Sequence, residues 1–261
     1  MNFWEIFEIE GTDFLNKMFS GKAKFTRCGG TNSKNSDIMV EKQNGEIFYI
    51  EVKYCPAQSG QFVLLPNLDS KKFEYSPLND SKINKYAQEI INHMNSKFQY
   101  YVKAGTSGKE LIFSNSQSIF SDWIKSHYKR KKVRFILVNN FKLVDIENIN
   151  EAFNISAKYR VKKSGTSNVS IKKQPEIIKY IQENYSIIKI VSSNKKLLVW
   201  SNFNLHNIRF NINNYEYLFS KRDNCFEIRK LSNTFNASVI FSINIKKDAK
   251  YMPITDFLFR F

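Results

Sequence analysis

With 261 residues, of which 42% are hydrophobic and 15% aromatic, the chain can bury a sizeable core and does not have the composition of a disordered protein. Its 40 Lys and Arg residues outnumber its 24 Asp and Glu residues, and the resulting net charge of +16 favours a polyanionic partner, with nucleic acid as the best fit. Three cysteines without CxxC spacing indicate neither disulfides nor a zinc site, and an acidic amino terminus without a long apolar run indicates neither a signal peptide nor a membrane span. We therefore expect a cytoplasmic protein that does not bind membranes.

Helical and strand patterns alternate over the first 145 residues. Apolar residues at helical spacing predict helices over residues 3–19, 82–94 and 116–128. Runs bounded by turn residues predict strands over residues 23–30, 36–43, 47–54, 61–65 and 133–140. Asn44 and Gly45 tolerate positive φ and predict a tight hairpin between the second and third strands. This order of elements predicts an α/β or α+β core.

The rest of the chain has a different pattern. Residues 157–173 are predicted to form a basic loop and residues 175–184 a helix, and the last ~75 residues are predicted to form an antiparallel β meander interrupted by Asn, Ser and Asp clusters. We therefore place a boundary near residue 150, between an α/β core over residues 1–150 and a β-rich region over residues 151–261. One undivided domain would fit the same pattern.

The segment that ends at Lys53 contains side chains that suit hydrolysis of a phosphodiester. Glu51 and Lys53 lie two residues apart on a strand and therefore share a face, while Ile50 and Val52 point to the core. The hairpin can bring Asp37 opposite them. Two carboxylates form a hard-oxygen site that suits Mg²⁺, and a nearby lysine can orient or deprotonate water and balance charge on the phosphate. An ordinary solvated hairpin is the alternative interpretation.

This arrangement resembles the PD-(D/E)XK nuclease superfamily, which includes type II restriction endonucleases. The resemblance covers about residues 5–65 and rests on Asp37 at the start of the second strand and on Glu51-x-Lys53 in the third. Ser36 stands where many members have proline, a substitution that leaves the catalytic assignment intact.

The resemblance implies a restriction-endonuclease-like core, with a central mixed sheet flanked by helices, followed by a β-rich region that recognises DNA. It also implies that Asp37 and Glu51, together with the Val52 carbonyl, bind Mg²⁺. Lys53 would then position the attacking water for in-line hydrolysis.

Further polar residues are assigned to the site, either from the same resemblance or from their position in the sequence. Many members use a glutamate of the first helix as another ligand of metal or water, and we assign this role to Glu10. Asp13, three residues further along the same helical face, is the competitor. Gln58 and Gln61 follow the site and either contact metal-bound water or a phosphate, or only satisfy a turn.

The basic segment within residues 157–173 is the expected DNA contact. It combines cationic and hydroxyl side chains, which bind phosphates and base edges: Lys158, Arg160, Lys162, Lys163, Ser164 and Thr166. Arg160 is our candidate for reading a base, because arginine bidentate to guanine is the commonest specific contact. A solvated basic loop is the alternative.

The expected function is that of a type II restriction endonuclease, which cleaves double-stranded DNA at a specific sequence with Mg²⁺ and leaves 5′-phosphate ends. We expect it to act in host defence beside a cognate DNA methyltransferase, without a stable complex between the two. We also expect a homodimer, because two strands need two active sites. The alternatives are a structure-specific or repair nuclease, such as a resolvase or nickase, and a catalytically silent DNA-binding module.

Overall fold

Two units make up the chain in the computed structural model, which describes residues 3–28, 36–163, 165–193, 196–232, 235–253 and 256–257. The first unit comprises residues 1–160 and 237–261, and the second comprises residues 161–236. This division differs from the boundary that the sequence suggests near residue 150, because the final strand pairs within the first unit.

The described helices are α1 (Phe3–Met18), α2 (Lys85–Ser96), α3 (Phe98–Tyr101), α4 (Ser116–Arg130), α5 (Ile149–Ala152) and α6 (Gln174–Asn184). The described strands are β1 (Ala23–Arg27), β2 (Ile38–Lys42), β3 (Ile47–Lys53), β4 (Ala57–Asn67), β5 (Lys72–Tyr75), β6 (Lys109–Glu110), β7 (Val133–Val138), β8 (Lys142–Asp145), β9 (Phe153–Lys163), β10 (Thr166–Asn168), β11 (Lys189–Ser192), β12 (Leu197–Trp200), β13 (Arg209–Ile212), β14 (Tyr215–Lys221), β15 (Phe226–Leu231) and β16 (Phe235–Ile245).

The first sheet of the first unit has the order β1-β2-β3-β7-β8. β3 and β7 are parallel, and the other neighbours are antiparallel, so the sheet is mixed. Gly45 has a φ of +82° at the turn between β2 and β3, which agrees with the predicted hairpin. α1 packs on this sheet, and its Phe7 and Leu15 join Ile50 and Val52 of β3 in one buried cluster. This packing leaves the other face of β3 for polar side chains.

A second sheet of the first unit has the order β5-β4-β16-β9-β6. β4 and β16 are antiparallel, with a register shift between Ile240 and Ser242. The buried Tyr159 of β9 donates its hydroxyl to the Leu64 carbonyl of β4 at 3.0 Å. Trp123 of α4 stacks on Phe241 of β16, with ring centroids 4.2 Å apart. β16 is thereby held in the first unit.

The second unit is a six-stranded sheet with α6. Its main path runs β11-β12-β15-β14-β13, and β10 pairs with β15. Ile177 and Ile181 of α6 are buried with Phe219 and Ile228 of the sheet. The predicted meander is correct for β13 to β15 and wrong for β16, which belongs to the second sheet of the first unit.

The predicted basic loop over residues 157–173 is largely extended, since β9 and β10 occupy most of it. Ala157, Tyr159 and Val161 are buried at every second position of β9, and this alternation is what makes the segment a strand. The predicted fold class is nevertheless confirmed, with a central mixed sheet flanked by helices and a β-rich region toward the carboxyl end. Among the described helices, none has the length and apolarity needed to cross a bilayer.

Candidate active site

Asp37 lies immediately before β2 and faces the end of β3. The register pairs Ile38 with Ile50, which places Asp37 beside the residues that follow Ile50. Its side-chain Oδ2 accepts a hydrogen bond from the Val52 amide at 2.7 Å. Its own carbonyl accepts one from the Cys28 amide at 2.8 Å, so both neighbouring strands fix its position.

Glu51 and Lys53 point to the same face of β3. Lys53 Nζ lies 2.8 Å from Glu51 Oε1, in a salt bridge whose two side chains are 18% and 12% exposed. The intervening Val52 is buried in the apolar cluster under α1. The structure therefore brings together the three side chains that the sequence singles out, at the end of one strand.

The second oxygen of Glu51 is the least satisfied polar atom of this group. Glu51 Oε2 is buried and has no hydrogen-bond partner in the part of the chain that the structure describes. Burial of a charged oxygen without a donor is costly, and a cation beside it would remove that cost. Glu51 and Asp37 therefore have the donor chemistry of a site for a hard divalent cation.

The number of protein ligands also fits magnesium. In the described ranges, no group of three or more His, Cys, Asp or Glu side chains is arranged to hold a metal ion. Mg²⁺ keeps several of its waters and needs only one or two carboxylates from the protein. Two carboxylates and one backbone carbonyl are thus compatible with Mg²⁺, and they do not match the four ligands of a structural zinc site.

The charges of this cluster shift the pKa values of its members. Burial and the charge of Glu51 raise the pKa of Asp37 to about 7, although Lys53 and the Val52 amide act in the opposite direction. Burial alone would lower the pKa of Lys53, but the charges of Glu51, Tyr128 and Asp37 outweigh it and raise that pKa above its usual value. Lys53 is therefore a cation at neutral pH.

Two residues of α4, which nothing in the sequence marks as part of the site, are also near it. The fully buried Tyr128 shares a hydrogen bond of 2.7 Å with Ser59 of β4, and burial and the charge of Glu51 raise its pKa. His127 stacks on Trp123, and burial together with nearby cations lowers its pKa to about 4. His127 is therefore neutral at physiological pH.

The carboxylate that α1 brings toward the site is Glu8. Glu10 and Asp13 are exposed, whereas Glu8 is 6% exposed and accepts a hydrogen bond from Arg27 Nε at 3.1 Å. The charge of Glu8 also contributes to the raised pKa of Asp37. Glu10, to which the sequence assigns this role, points away when Glu8 points in, because residues two apart on a helix differ by about 200°.

Lys158 and Arg160 are half-buried and share one face of β9, opposite the buried Tyr159. Gly108 lies beside them, and a Cβ there would come within 3.1 Å of the Tyr159 carbonyl and 3.2 Å of the Lys158 side chain. Gly108 therefore lets the backbone pass close to β9 beside these two basic side chains.

The other predicted DNA contacts belong to the second unit. Lys162 is exposed, Lys163 ends β9, and Ser164 lies outside the described residues. Thr166 is exposed, and its hydroxyl accepts a hydrogen bond from Arg229 Nε at 3.3 Å.

Gln58 and Gln61 lie on the exposed side of β4. The Gln58 amide donates to the Gln61 side-chain oxygen at 3.3 Å, and both residues are exposed. This mutual bond satisfies one donor and one acceptor and leaves their other polar atoms facing solvent.

Among the comparisons with known proteins, the search of solved structures finds a relative. No protein-family model matches the chain, and no curated protein sequence matches it. A search of solved structures found HhaI endonuclease in complex with DNA, which is 36% identical to this chain with a TM-score of 0.72. The match covers 96% of this chain and 93% of that chain, so it includes both units.

Proposed function

Because this chain belongs to the family of HhaI endonuclease, we propose that it is a type II restriction endonuclease that cleaves double-stranded DNA at a specific sequence. One observation supports this function most directly. Glu51 bonds Lys53 through one oxygen, keeps a buried second oxygen without a partner among the described residues, and lies beside Asp37. A carboxylate pair next to a lysine is what the PD-(D/E)XK nucleases use, and we assign the chain to that superfamily.

In the proposed mechanism, Asp37, Glu51 and the Val52 carbonyl hold Mg²⁺. The ion, when bound, would polarise the phosphate that is attacked. In the metal-free chain Lys53 is a cation, and in this mechanism it orients the attacking water and offsets charge on the phosphate. The products would carry 5′-phosphate and 3′-hydroxyl ends.

Tyr128 and Ser59 have a structural role near the proposed site. Their hydrogen bond lies in the protein interior and joins α4 to β4, and the charges of Glu51 and Lys53 act on the Tyr128 hydroxyl. A residue that is fully buried cannot contact DNA directly. We therefore give Tyr128 a positioning role.

For sequence recognition we propose Arg160 as the residue that reads a base, with Lys158 as a phosphate contact on the same face of β9. Arg160→Ala should weaken specific binding by roughly 1 to 3 kcal/mol if the guanidinium bonds a base edge. Lys158→Ala should weaken binding to all sequences alike. Unchanged discrimination between cognate and altered duplexes in the Arg160 variant would contradict the assignment.

Lys162, Lys163, Ser164 and Thr166 remain proposed DNA contacts of the second unit. Exposed basic residues neutralise phosphates and release counterions, which contributes affinity without sequence preference. Removing one such contact should lower the slope of log affinity against log salt concentration by about one.

A homodimer and a cognate methyltransferase remain predictions. Because the site consists of one cluster of Asp37, Glu51 and Lys53, cleavage of both strands needs either two copies of the chain or two successive events. Sedimentation of the protein bound to a cleavable duplex measures whether one or two copies bind. A dimer should cut both strands in one concerted event, whereas a monomer should pass through a nicked intermediate.

The proposed function is tested by incubating the purified chain with unmethylated phage DNA in Mg²⁺ or EDTA. Discrete fragments that require Mg²⁺ and have 5′-phosphate ends are the expected result. Asp37→Ala should abolish them, whereas Asp69→Ala, at an exposed position, should not. A smear would indicate a nonspecific or repair nuclease, and intact linear DNA with cleavage of branched or nicked substrates would indicate a structure-specific enzyme. Binding without cleavage of any substrate would indicate a silent module.

A further inference from the structure

The side-chain amide of Asn139 holds the backbone of Cys55 through two hydrogen bonds. Asn139 Oδ1 accepts a bond from the Cys55 amide at 2.7 Å, and Asn139 Nδ2 donates one to the Cys55 carbonyl at 3.2 Å. Cys55 is buried, and 84 positions of sequence separate the two residues. Because buried backbone groups need partners, this pair of bonds satisfies a donor and an acceptor that the fold would otherwise leave unpaired.

The two bonds act where the chain leaves the first sheet. The pairing of β3 with β7 ends at Lys53 and Val138, and Asn139 is the next residue after β7. Residues 54–56 alone join β3 to β4 of the second sheet, and we call them the corner. The Asn139 side chain therefore continues what the strand pairing begins, and it fixes the backbone two residues after Lys53.

The segment that carries Asn139 is itself well packed. Phe141 stacks on Phe7 of α1, with ring centroids 5.4 Å apart, and on Phe14, with centroids 4.9 Å apart. Phe7 belongs to the buried cluster under α1 that also contains Val52. A side chain held by such packing can impose its own position on the segment that it bonds.

Two other asparagines make the same kind of contact with strands that carry no candidate catalytic residue. Asn79 accepts a bond from the Val63 amide of β4 at 2.7 Å and donates one to the Val63 carbonyl at 2.9 Å. Asn16 does the same with Phe25 of β1, at 3.1 Å and 2.9 Å. These two asparagines and Asn139 are half-buried in the first unit. Of the three, Asn139 acts on the strand of Glu51 and Lys53.

We propose that Asn139 is a positioning residue that sets the place of Lys53 and of the Val52 carbonyl by fixing the Cys55 backbone. This inference rests on the proposed function, because it takes Lys53 to act at the phosphate and Val52 at the metal. The salt bridge with Glu51 constrains the Lys53 ammonium, but it does not fix the corner that follows. A displacement of about 1 Å at a reacting centre can cost about a hundredfold in rate. Asn139 should therefore affect the rate of cleavage and not the affinity for DNA.

The test compares Asn139→Ala with Asn79→Ala. The control removes a matched pair of bonds, together with one to the Ser76 carbonyl, so it loses at least as many hydrogen bonds. The probe is a linear phage DNA fragment that the wild-type chain cleaves. Single-turnover cleavage is measured over a range of Mg²⁺ concentrations, and DNA affinity is measured in Ca²⁺. The rate at which iodoacetamide alkylates Cys55 is measured by mass spectrometry in the metal-free chain.

We expect Asn139→Ala to cleave saturating DNA about tenfold to a hundredfold more slowly and to need more Mg²⁺ for half of its maximal rate. Its affinity for DNA should stay within about twofold of wild type. The Cys55 side chain is 7% exposed, and its alkylation should become about fivefold faster once the corner is released. Asn79→Ala should stay within about twofold of wild type in cleavage and in alkylation of Cys55, although its stability should fall by a similar amount.

A milder pair of variants keeps the test decisive if Asn139→Ala does not fold. Asn139→Asp keeps the acceptor for the Cys55 amide and loses the donor to the Cys55 carbonyl, and Asn79→Asp makes the same change at Val63. We expect Asn139→Asp to cleave at least about threefold more slowly than Asn79→Asp. Equal rates for the two aspartate variants would contradict the positioning role.

The results distinguish failure of this inference from failure of the proposed function. A wild-type chain that cleaves no DNA overturns both. A wild-type chain that cleaves, with an Asn139→Ala variant that matches Asn79→Ala in rate, Mg²⁺ dependence and alkylation of Cys55, overturns the inference alone. Normal cleavage at saturating DNA with a weakened affinity overturns it as well, because Asn139 would then act on DNA binding. Slower cleavage without faster alkylation does so too, because the corner would not have moved.

Discussion

Glu51 of the first unit and Glu227 of the second are both buried carboxylates on a strand, but their surroundings differ. Glu227 is 1% exposed, and both of its oxygens are bonded by arginine: Oε2 by Arg222 Nε at 2.8 Å and Oε1 by the Arg229 guanidinium at 2.8 Å. Glu51 is 9% exposed and has one lysine on one oxygen, while its other oxygen has no partner among the described residues.

The difference separates a carboxylate that maintains the fold from one that serves a reaction. A buried charge whose hydrogen bonds are all made stabilises one arrangement of its neighbours. A buried charge that lacks a donor and lies beside a second carboxylate costs free energy, and the fold retains it at a place where a cation can bind. Glu227 therefore belongs to the architecture of the second unit, whereas we propose that Glu51 serves the chemistry of the first.

Replacing Lys53 should have a very large effect on activity. Lys53→Ala removes the cation next to Glu51, and we expect single-turnover cleavage in Mg²⁺ to fall by at least about a thousandfold. DNA affinity in Ca²⁺ should change little. Lys24→Ala, at an exposed position of β1, is the control for a lost charge and should cleave normally. Normal cleavage by the Lys53 variant would remove this lysine from the mechanism.

Replacing the two buried glutamates by glutamine should have opposite effects on stability and on cleavage. Glu227→Gln leaves Arg222 and Arg229 facing one amide oxygen and an amide nitrogen, and it should destabilise the second unit by about 2 to 4 kcal/mol. Glu51→Gln should abolish cleavage, with about 1 kcal/mol or less of lost stability in the metal-free chain. Denaturant unfolding measures the stability of both variants, and hydrogen exchange of β12 and β15 measures the stability of the second unit. Equal destabilisation by the two variants would contradict the distinction.

The hairpin that carries the candidate site could be predicted because its signals are local. Asn44 and Gly45 fix the turn, and the alternation along β3 assigns Glu51 and Lys53 to one face. β5 could not be predicted, since its residues become a strand only by pairing with β4. β9 has buried residues at alternate positions, but its basic residues at the other positions have the composition of a loop.

The parts of the site that sequence reasoning missed depend on helix phase and on distant packing. Glu8 and Glu10 both lie among apolar residues of α1, and only the contact with Arg27 and the burial of Gly11 and Leu15 decide which one faces inward. Tyr128 meets Ser59 across 69 positions of sequence, and no local pattern signals that contact.

Neutralising the two glutamates of α1 in turn tests which of them, Glu8 or Glu10, acts at the site. Glu8→Gln keeps a hydrogen-bond acceptor for Arg27 but removes the charge near Asp37, and we expect cleavage to slow by about tenfold. Glu10→Gln, on the exposed side of the same helix, should stay within about twofold of wild type. Both rates are measured over a range of Mg²⁺ concentrations. A larger effect at Glu10 than at Glu8 would mean that Glu10 is the carboxylate of α1 that acts at the site.

Asp37 should also make the stability of the chain change with pH. Its pKa is about 7 in the folded metal-free chain and 3.8 as an unperturbed group, so the unfolded chain loses this proton at lower pH than the folded one. Stability should therefore fall as the pH rises from about 4 to about 7 and then level off. Asp37→Asn still accepts the Val52 hydrogen bond but cannot ionise, so at pH 8 it should exceed wild type by up to about 4 kcal/mol, and near pH 4 it should match it. Mg²⁺ should stabilise wild type above pH 7 and not the variant, because a bound cation favours the ionised carboxylate. Thermal unfolding at several pH values, with and without Mg²⁺, measures this difference, and parallel curves for the two proteins would mean that Asp37 is ionised at low pH like an exposed aspartate.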